Sequence, residues 1–241
     1  MAITVTPLGT AQNKTTTCSI TGLTWNADDW LIVVHATEFD FTDNSYIQYR
    51  RGAGDYTSLL IDVLKDWTAN VDICICSIKP GTAAAGDGEI YSPLSGHGAH
   101  AFAAYKVAGL DSTPFDKSAT GLGSDQIPSS GATATTSQSD ELLVGGIGTE
   151  GPDGDAAGTW NGDTTDNNQR LGTTGSGAAS NITVAAATKI VSATGTYTAS
   201  KTGITSRDWV AAIATYKGVA PAGDTYPAGH GKSFQNTLVR M

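Results

Sequence analysis

The chain has few charged residues: Asp, Glu, Lys and Arg make up only 15% of its 241 positions. The 23 acidic residues outnumber the 14 basic ones, which gives a formal net charge of −9 at pH 7. An acidic protein repels phosphate backbones, and the basic pair Arg50-Arg51 is too short to offset this repulsion. The composition therefore predicts that nucleic acid is not a partner.

Long hydrophobic runs are missing as well. Residues 1–6 contain neither a basic region nor a long apolar core, so we expect no signal peptide. No later run approaches the length of about 20 apolar residues that a transmembrane helix needs. The sequence therefore predicts synthesis in the cytoplasm and no membrane partner.

Cysteine is scarce and its count is odd, with residues Cys18, Cys74 and Cys76. An odd count argues against a disulfide framework. Cys74 and Cys76 alternate with isoleucines on a predicted strand, so they share one face and cannot easily form a disulfide with each other. We expect small buried apolar side chains and no metal site, because no further Cys or His is near in the sequence.

Small residues and strand formers are abundant instead. The chain has 29 glycines, and Gly and Thr favour strands and tight turns over helices. The run from Trp30 to Val34 is apolar and rich in β-branched residues, but it is too short to span a membrane. Apolar residues fall on both of its faces, so the sequence predicts a strand that is covered on both sides, as in the middle of a sandwich.

Two short sequences occur twice along the chain. The pairs are DWLIV (29–33) with DELLV (140–144), and AAYK (103–106) with ATYK (214–217). Both pairs are separated by 111 positions. Two independent matches at one spacing predict two similar halves, about 1–110 and 111–218. Because the strands of each half look incomplete alone, we expect one β domain over residues 1–218, followed by a linker and arm at 219–241.

Two segments have a less regular pattern. Leu60, Val63, Leu64 and Trp67 are spaced i, i+3, i+4, i+7, which favours a short helix, although a strand also fits so short a segment. Residues 149–177 are rich in Gly, Asp, Asn and Thr, which predicts a long surface loop or an irregular hairpin.

Four segments together resemble a known group of proteins. They are D-x-L-I-V-V (29–34), AYKVAGLDSTPFD (104–116), SDELLVGG (139–146) and WVAAIATYK (209–217). The combination resembles phage and prophage virion proteins with concanavalin-like jelly rolls, over most of the chain before the C-terminal arm. The resemblance implies an all-β fold, an antiparallel double-sheet jelly-roll sandwich with long loops, and a structural or adhesive role in a virus particle. It implies no catalytic residues.

The clearest catalytic candidate is the acidic segment with Glu38, Asp40 and Asp43. Laminarinase-type glucanases of the same sandwich fold carry Glu-x-Asp-x-x-Glu, in which two Glu serve as nucleophile and acid. The third position here is Asp43, which is one carbon shorter and falls on the opposite face of a regular strand. We therefore expect an acidic strand end that runs into a loop, and a glycoside hydrolase using Glu38 is the third functional hypothesis.

Acidic side chains in a flexible loop suit Ca²⁺. The loop acids are Glu150, Asp153, Asp155, Asp163 and Asp166. Their spacing does not match the helix–loop–helix calcium pattern, so we expect solvated acids, with Asp153, Asp155 and Asp163 as weak candidates for Ca²⁺ and no other cofactor. His97 and His100 flank a Gly-rich turn and could bind a metal with a loop acid, whereas His35 is expected to be a buried imidazole.

Aromatic residues and the C-terminal arm are the candidate contact sites. Trp and Tyr serve both as sugar-stacking platforms and as interface residues, which selects Trp160, Tyr46 and Tyr49. The arm ends in a segment with three apolar residues that could dock on a neighbouring subunit, the alternative being a frayed tail. These are Phe234, Leu238 and Val239.

The first functional hypothesis is a non-enzymatic structural protein of a bacteriophage virion, either a capsid decoration or a tail-associated subunit. It would bind other virion proteins and copies of itself, forming a homo-oligomer. The second is a lectin-like, carbohydrate-binding receptor module that recognises cell-surface glycans. Deletion of the arm, loss of Trp160 and loss of Glu38 would each affect a different one of the three hypotheses.

Overall fold

The computed structural model describes residues 2–38, 47–67, 71–94, 98–175, 177 and 179–220. These residues form seventeen strands and no helix. The strands of the N-terminal half are β1 (Thr4–Asn13), β2 (Cys18–Trp25), β3 (Trp30–Thr37), β4 (Gln48–Arg51), β5 (Thr57–Ser58), β6 (Leu60–Lys65), β7 (Asp72–Ile78), β8 (Ala83–Ser92) and β9 (His100–Ala108). No helix of the described residues has the length and apolar character needed to cross a membrane.

The strands of the C-terminal half follow without a break after Gly109. They are β10 (Leu110–Gly123), β11 (Ser129–Ala132), β12 (Asp140–Glu150), β13 (Ala157–Trp160), β14 (Asp166–Gly172), β15 (Ile182–Ser192), β16 (Thr198–Ile204) and β17 (Trp209–Gly218). Every strand pairing is antiparallel. The prediction of an all-β antiparallel sandwich is therefore confirmed.

The strands form four sheets. Central sheet I has the order β1-β9-β3-β7-β6, and central sheet II has the order β10-β17-β12-β15-β14. Outer sheet I has the order β2-β8-β4-β5, and outer sheet II has the order β11-β16-β13. The two central sheets have the same strand order, since β1, β9, β3, β7 and β6 correspond to β10, β17, β12, β15 and β14.

The central sheets pack face to face around the largest hydrophobic core. Ile32 and Val34 of β3 lie in this core with Leu142 and Val144 of β12. Glycine permits the close approach of the two strands, because a Cβ at Gly146 would lie 2.4 Å from Val34 Cγ1. Strands β3 and β12 are thus the middle strands of a four-layer β structure.

Two buried tyrosines join the halves in equivalent ways. The Tyr105 hydroxyl of β9 donates to the carbonyl oxygen of Asn167 in β14 at 3.0 Å. The Tyr216 hydroxyl of β17 donates to Asp62 Oδ2 in β6 at 2.7 Å. Because β9 corresponds to β17 and β14 to β6, exchanging the halves converts one contact into the other. The halves therefore meet with an approximate two-fold relationship.

The opposite face of each central sheet is covered by an outer sheet. Leu31, Val33 and Phe102 pack with Trp25 and Ile90 between central sheet I and outer sheet I. Smaller clusters lie between central sheet II and outer sheet II, and they contain Leu143, Ile147, Ala199, Ile204, Trp209, Ala211 and Ile213. All residues of β3 from Leu31 to Thr37 are buried, which confirms the predicted coverage of this strand on both faces.

The 111-residue spacing aligns β9 with β17 but misaligns β3 with β12 by one residue. It equates Leu31 with Leu142, yet Leu31 faces the outer sheet and Leu142 faces the central core. A spacing of 110 equates Ile32 with Leu142 and places both in the central core. A one-residue slip changes the face of every side chain on a strand, so this difference is a correction to the predicted repeat.

Two predictions about local structure also change. The helix favoured for residues 60–67 is wrong, since residues 60–65 form strand β6. Its pairing with β7 shifts register between Ile61 and Val63, and this irregularity produces the helix-like spacing of apolar residues. Residues 149–177 contain strands β13 and β14, which belong to different sheets rather than to one loop or hairpin.

Candidate functional site

Three exposed apolar side chains lie on strands β6 and β10, which end their respective sheets. Leu60 is 64% exposed, and Leu64 and Phe115 are also exposed. We call Leu60, Leu64 and Phe115 the edge surface. Tyr216 connects the two strands, because its hydroxyl binds Asp62 of β6 and its ring contacts the Phe115 ring of β10 at 6.3 Å. Burial raises the pKa of Asp62, and the hydrogen bonds from Ser77 and Tyr216 partly counteract that rise.

A second surface feature lies on outer sheet I. The Tyr56 and Tyr91 rings are stacked with centroids 4.6 Å apart, and the Arg50 guanidinium lies 4.8 Å from the Tyr56 centroid. Glu89 Oε2 accepts hydrogen bonds from Arg50 Nε at 2.5 Å and from the Tyr56 hydroxyl at 3.1 Å. This arrangement presents an aromatic face beside a fixed ion pair.

An open groove of about 330 Å³ adjoins this aromatic face. Its lining includes Arg50, Asp87 and Glu89, and three glycines with positive φ: Gly22, Gly52 and Gly86. A Cβ added at any of these three glycines would meet nothing within 4 Å, so their role is backbone conformation rather than close packing. The turns around the groove therefore depend on left-handed glycines.

The predicted aromatic platforms are not placed as expected. Tyr49 is only 8% exposed and packs edge-on against Trp25 in the core of outer sheet I, so it offers no open face. Trp160 lies in β13 rather than in a loop, and it packs against two hydrophobic clusters of outer sheet II with Lys201 5.3 Å from its ring centroid. Tyr46 lies outside the described residues.

The predicted calcium ligands are engaged by other groups. Asp153 pairs with Arg170 at 2.7 Å, and Asp155 accepts hydrogen bonds from Arg207 Nε at 2.7 Å. Asp163 Oδ2 accepts the backbone N–H of Thr198 at 2.6 Å, and Asp166 pairs with Lys189. No group of three or more metal-ligating side chains occurs in the part of the chain that the structure describes.

The catalytic candidate Glu38 closes the end of β3 against β9. Its backbone N–H donates to the Ala99 carbonyl at 3.0 Å, and its Oε2 accepts the Ala99 N–H at 3.1 Å. It also lies near Glu150, whose pKa is raised by burial and then by the charges of Asp208 and Glu38. Asp40 and Asp43, the other two residues of the predicted motif, lie outside the described residues.

The structure brings together a Cys, a Ser and a His that sequence spacing did not connect. His100 Nδ1 lies 2.9 Å from Ser92 Oγ and 3.8 Å from Cys18 Sγ, and its Nε2 contacts the Thr16 carbonyl at 2.8 Å. The carbonyl can only accept, so Nε2 carries the proton and Nδ1 accepts from Ser92.

This cluster is structural rather than nucleophilic. His100 and Ser92 are fully buried, and burial raises the pKa of Cys18 to about 12. Both ring nitrogens of His100 have hydrogen-bond partners, and His97 lies outside the described residues. Burial and then His100 lower the pKa of His35, which is fully buried as predicted.

A buried pair of carboxyl groups also escaped sequence analysis. Glu141 at the start of β12 is fully buried, and burial raises its pKa to about 7, with nearby Asp116 raising it further and Thr215 opposing the rise. Burial would also raise the pKa of Asp116, but Ser137 and Lys117 outweigh it and lower the value to about 2. The paired residues are 25 positions apart and acquire their relationship only through the β10–β17–β12 sheet order.

Comparison with protein-family models, curated proteins and solved structures finds no significant match to this chain. Functional inference therefore depends on the surfaces and side-chain clusters themselves. The docking residues Phe234, Leu238 and Val239 belong to residues 221–241, which lie outside the described residues. The edge surface and the groove of outer sheet I are two surface features whose polar and apolar groups are open to a partner.

Proposed function

We propose that the chain is a structural subunit of a bacteriophage virion, a capsid decoration or tail-associated protein that acts through protein–protein contacts and performs no catalysis. We infer that residues 1–218 form a concanavalin-like jelly-roll sandwich built from two related halves, with nine strands in the first half and eight in the second. The identical strand order of the central sheets and the sequence resemblance support this assignment. The observation that most favours a role in protein–protein contacts is the exposed apolar edge surface.

The edge surface has the properties of a docking site. Strand β6 ends central sheet I, so the backbone along its outer side has no strand partner among the described residues. An open edge with exposed apolar side chains favours the addition of another strand. Leu60 at 64% exposure and Leu64 at 38% would lose this apolar area from water when a segment binds.

The occupant that we propose is residues 221–241 of a neighbouring copy. This segment carries Phe234, Leu238 and Val239, and it follows Gly218, whose pairing partner Leu110 begins strand β10. The Val219 N–H donates to the Gly109 carbonyl at 2.9 Å, which fixes the point of departure beside β10. An extended segment of this length spans up to about 70 Å, enough to reach an adjacent subunit.

The contact role is tested by a surface variant. Replacing both Leu60 and Leu64 by Lys should abolish the self-association of the full chain in sedimentation velocity, because the substitution charges the docking edge. Ile190→Lys is the matched control, since Ile190 is also an exposed apolar strand residue, at 46%, and lies on β15. Equal self-association of the double variant, the control and the unmodified chain would refute the edge surface as an interface.

A second candidate function is carbohydrate binding, favoured by the Tyr56–Tyr91 face beside the groove of outer sheet I. Aromatic faces stack on sugar rings, and Arg50, Asp87 and Glu89 provide hydrogen-bonding groups at the groove. A glycan array with the full chain and Tyr56→Ala tests it, with Tyr197→Ala as a control for a tyrosine on the other half. Binding that is absent, or unchanged in Tyr56→Ala, would remove this candidate.

A further inference from the structure

The edge strand β6 carries a carboxylate beside the proposed docking surface. Asp62 lies between Leu60 and Leu64 in the chain, and it occupies the position where the pairing of β6 with β7 shifts register. A bulge of this kind re-aims a side chain relative to the regular alternation of a strand. Asp62 Oδ2 accepts the Tyr216 hydroxyl at 2.7 Å, and Ser77 supplies a second hydrogen bond. The carboxylate is thus held at the edge of central sheet I by two neutral donors.

No basic side chain pairs with this carboxylate among the residues that the structure describes. The ion pairs of the described residues do not include Asp62. Asp62 is half-buried, and burial raises its pKa, with the hydrogen bonds from Ser77 and Tyr216 opposing the rise. A carboxylate that is withdrawn from water without a counter-charge costs free energy, and a cation that approaches it offsets that cost.

The basic residues that remain for this role lie in the proposed docking segment. Of the 14 Lys and Arg residues of the chain, all except Lys232 and Arg240 belong to the described residues. Lys232 lies two residues before Phe234, and Arg240 directly follows Val239. Residues 221–241 contain only one acidic residue, whereas the whole chain has a net charge of −9. The segment therefore combines positive charge with the apolar residues assigned to docking.

We propose that Asp62 is the specificity-determining residue of the edge surface and forms an ion pair with Lys232 or Arg240 of a neighbouring copy. This inference rests on the docking role proposed above and names the chemistry that the docked segment must carry. Apolar contacts with Leu60 and Leu64 would hold any hydrophobic strand, so they do not distinguish this arm from another segment. A carboxylate at the same edge favours a segment with a cation beside its apolar residues and disfavours an acidic one.

A double-mutant cycle on the full chain tests the ion pair, with the dissociation constant of the oligomer measured by sedimentation velocity. Asp62→Asn keeps the shape of the side chain and can still accept the Tyr216 hydroxyl. We expect it to weaken self-association about tenfold or more, and we expect the arm variant, Lys232→Met with Arg240→Met, to do the same. Because the ion pair is then already absent, adding Asp62→Asn to the arm variant should cause little further weakening.

Asp28→Asn is the matched control, since it removes an exposed carboxylate that pairs with Lys79 and not with any residue of the edge surface. The control should leave the dissociation constant of the oligomer unchanged. It thereby separates a specific ion pair from the general attraction between a cationic arm and an acidic body. Equal weakening by Asp62→Asn and by the control would overturn the proposal, as would equal weakening by Asp62→Asn with and without the arm variant.

A crystal structure of the unmodified oligomer gives a readout that does not depend on folding of a variant. A basic side chain of a neighbouring copy within about 4 Å of the Asp62 carboxylate is the expected result, and an arm docked without that contact would overturn the proposal. Self-association that is abolished by Leu60→Lys with Leu64→Lys but unaffected by Asp62→Asn would overturn the ion pair and leave the docking role standing. A full chain that stays monomeric at every concentration would overturn both.

Discussion

The contribution of Glu141 to the stability of the fold should fall as pH rises from 4.5 towards 7. Both of its carboxyl oxygens are buried without a hydrogen bond of good geometry among the described residues. Its neighbour Asp116 accepts the Ser137 N–H at 2.7 Å, the Ser137 hydroxyl at 2.8 Å and the Lys117 ammonium at 3.0 Å. Asp116 is thus stabilised as a carboxylate, and Glu141 is favoured as the neutral acid beside it.

The sign of the effect follows from proton binding. The pKa of Glu141 is raised from an ordinary value of 4.5 to about 7, so the folded chain holds the proton more tightly than the unfolded chain. The resulting stabilisation is complete below pH 4.5 and is lost as pH rises through 7. At about 1.4 kcal/mol per pKa unit the loss has an upper limit of roughly 3 kcal/mol, and solvent screening reduces it to about 1–3 kcal/mol.

Glu141→Gln isolates this contribution. The amide is neutral at every pH and, like the protonated acid, carries a hydrogen-bond donor near Asp116. We expect the variant to match the unmodified chain near pH 4.5 and to exceed its free energy of unfolding by about 1–3 kcal/mol at pH 8. Urea unfolding between pH 4.5 and 8, monitored by tryptophan fluorescence, measures the free energy of unfolding of both proteins.

The matched control is Asp140→Asn, which removes an exposed carboxylate from the adjacent position of β12. Asp140→Asn should show the same pH dependence of the free energy of unfolding as the unmodified chain. Two results would refute the assignment of a buried neutral acid. One is a lower stability of Glu141→Gln than of the unmodified chain at pH 8, and the other is a stability difference between these two proteins that does not change with pH.

Three further outcomes follow from the packing. Tyr216→Phe should destabilise the fold by about 1–3 kcal/mol in urea unfolding, since it removes one of the two donors to half-buried Asp62; no loss would show that the contact between the halves is dispensable. Gly146→Ala should lower stability by about 1–3 kcal/mol or more, because the new methyl would lie 2.4 Å from a Val34 methyl, and an unchanged Tm would contradict that close approach. Cys18 should not react with iodoacetamide at pH 8 in the folded chain but should react in urea, and rapid labelling without urea would contradict its pKa of about 12.

Much of the β framework could be predicted from local pattern. The run from Trp30 to Val34 indicated a strand covered on both faces, and it forms the middle of central sheet I. The DELLV segment likewise begins the middle strand of central sheet II. These predictions succeed because a strand that is buried on both faces has apolar residues at consecutive positions, which can be recognised in the sequence as an apolar run of strand length.

The errors in the predicted repeat and in residues 60–67 have a common cause. The pairing register of a strand decides which of its side chains point to which side of the sheet. The one-residue difference between the β3 and β12 alignments reverses which leucine faces the central core, and no local signal specifies it. The register shift between Ile61 and Val63 gave residues 60–65 the apolar spacing of a helix. Register is set by pairing with partner strands, so it becomes visible only when the sheets are assembled.

The candidate sites were less predictable than the fold. Tyr49 was selected as an exposed platform, but its ring fills the core beside Trp25, whereas Tyr56, just before β5, is 37% exposed.

The molar mass of the full chain in solution tests the proposed docking role most directly. Light scattering over a range of concentrations should give a mass above the 24.7 kDa of one chain, and the chain lacking residues 221–241 should remain folded and give a single-chain mass. A mass of 24.7 kDa for the full chain at every concentration, or an unchanged oligomer after removal of the arm, would contradict docking of the arm on the edge surface.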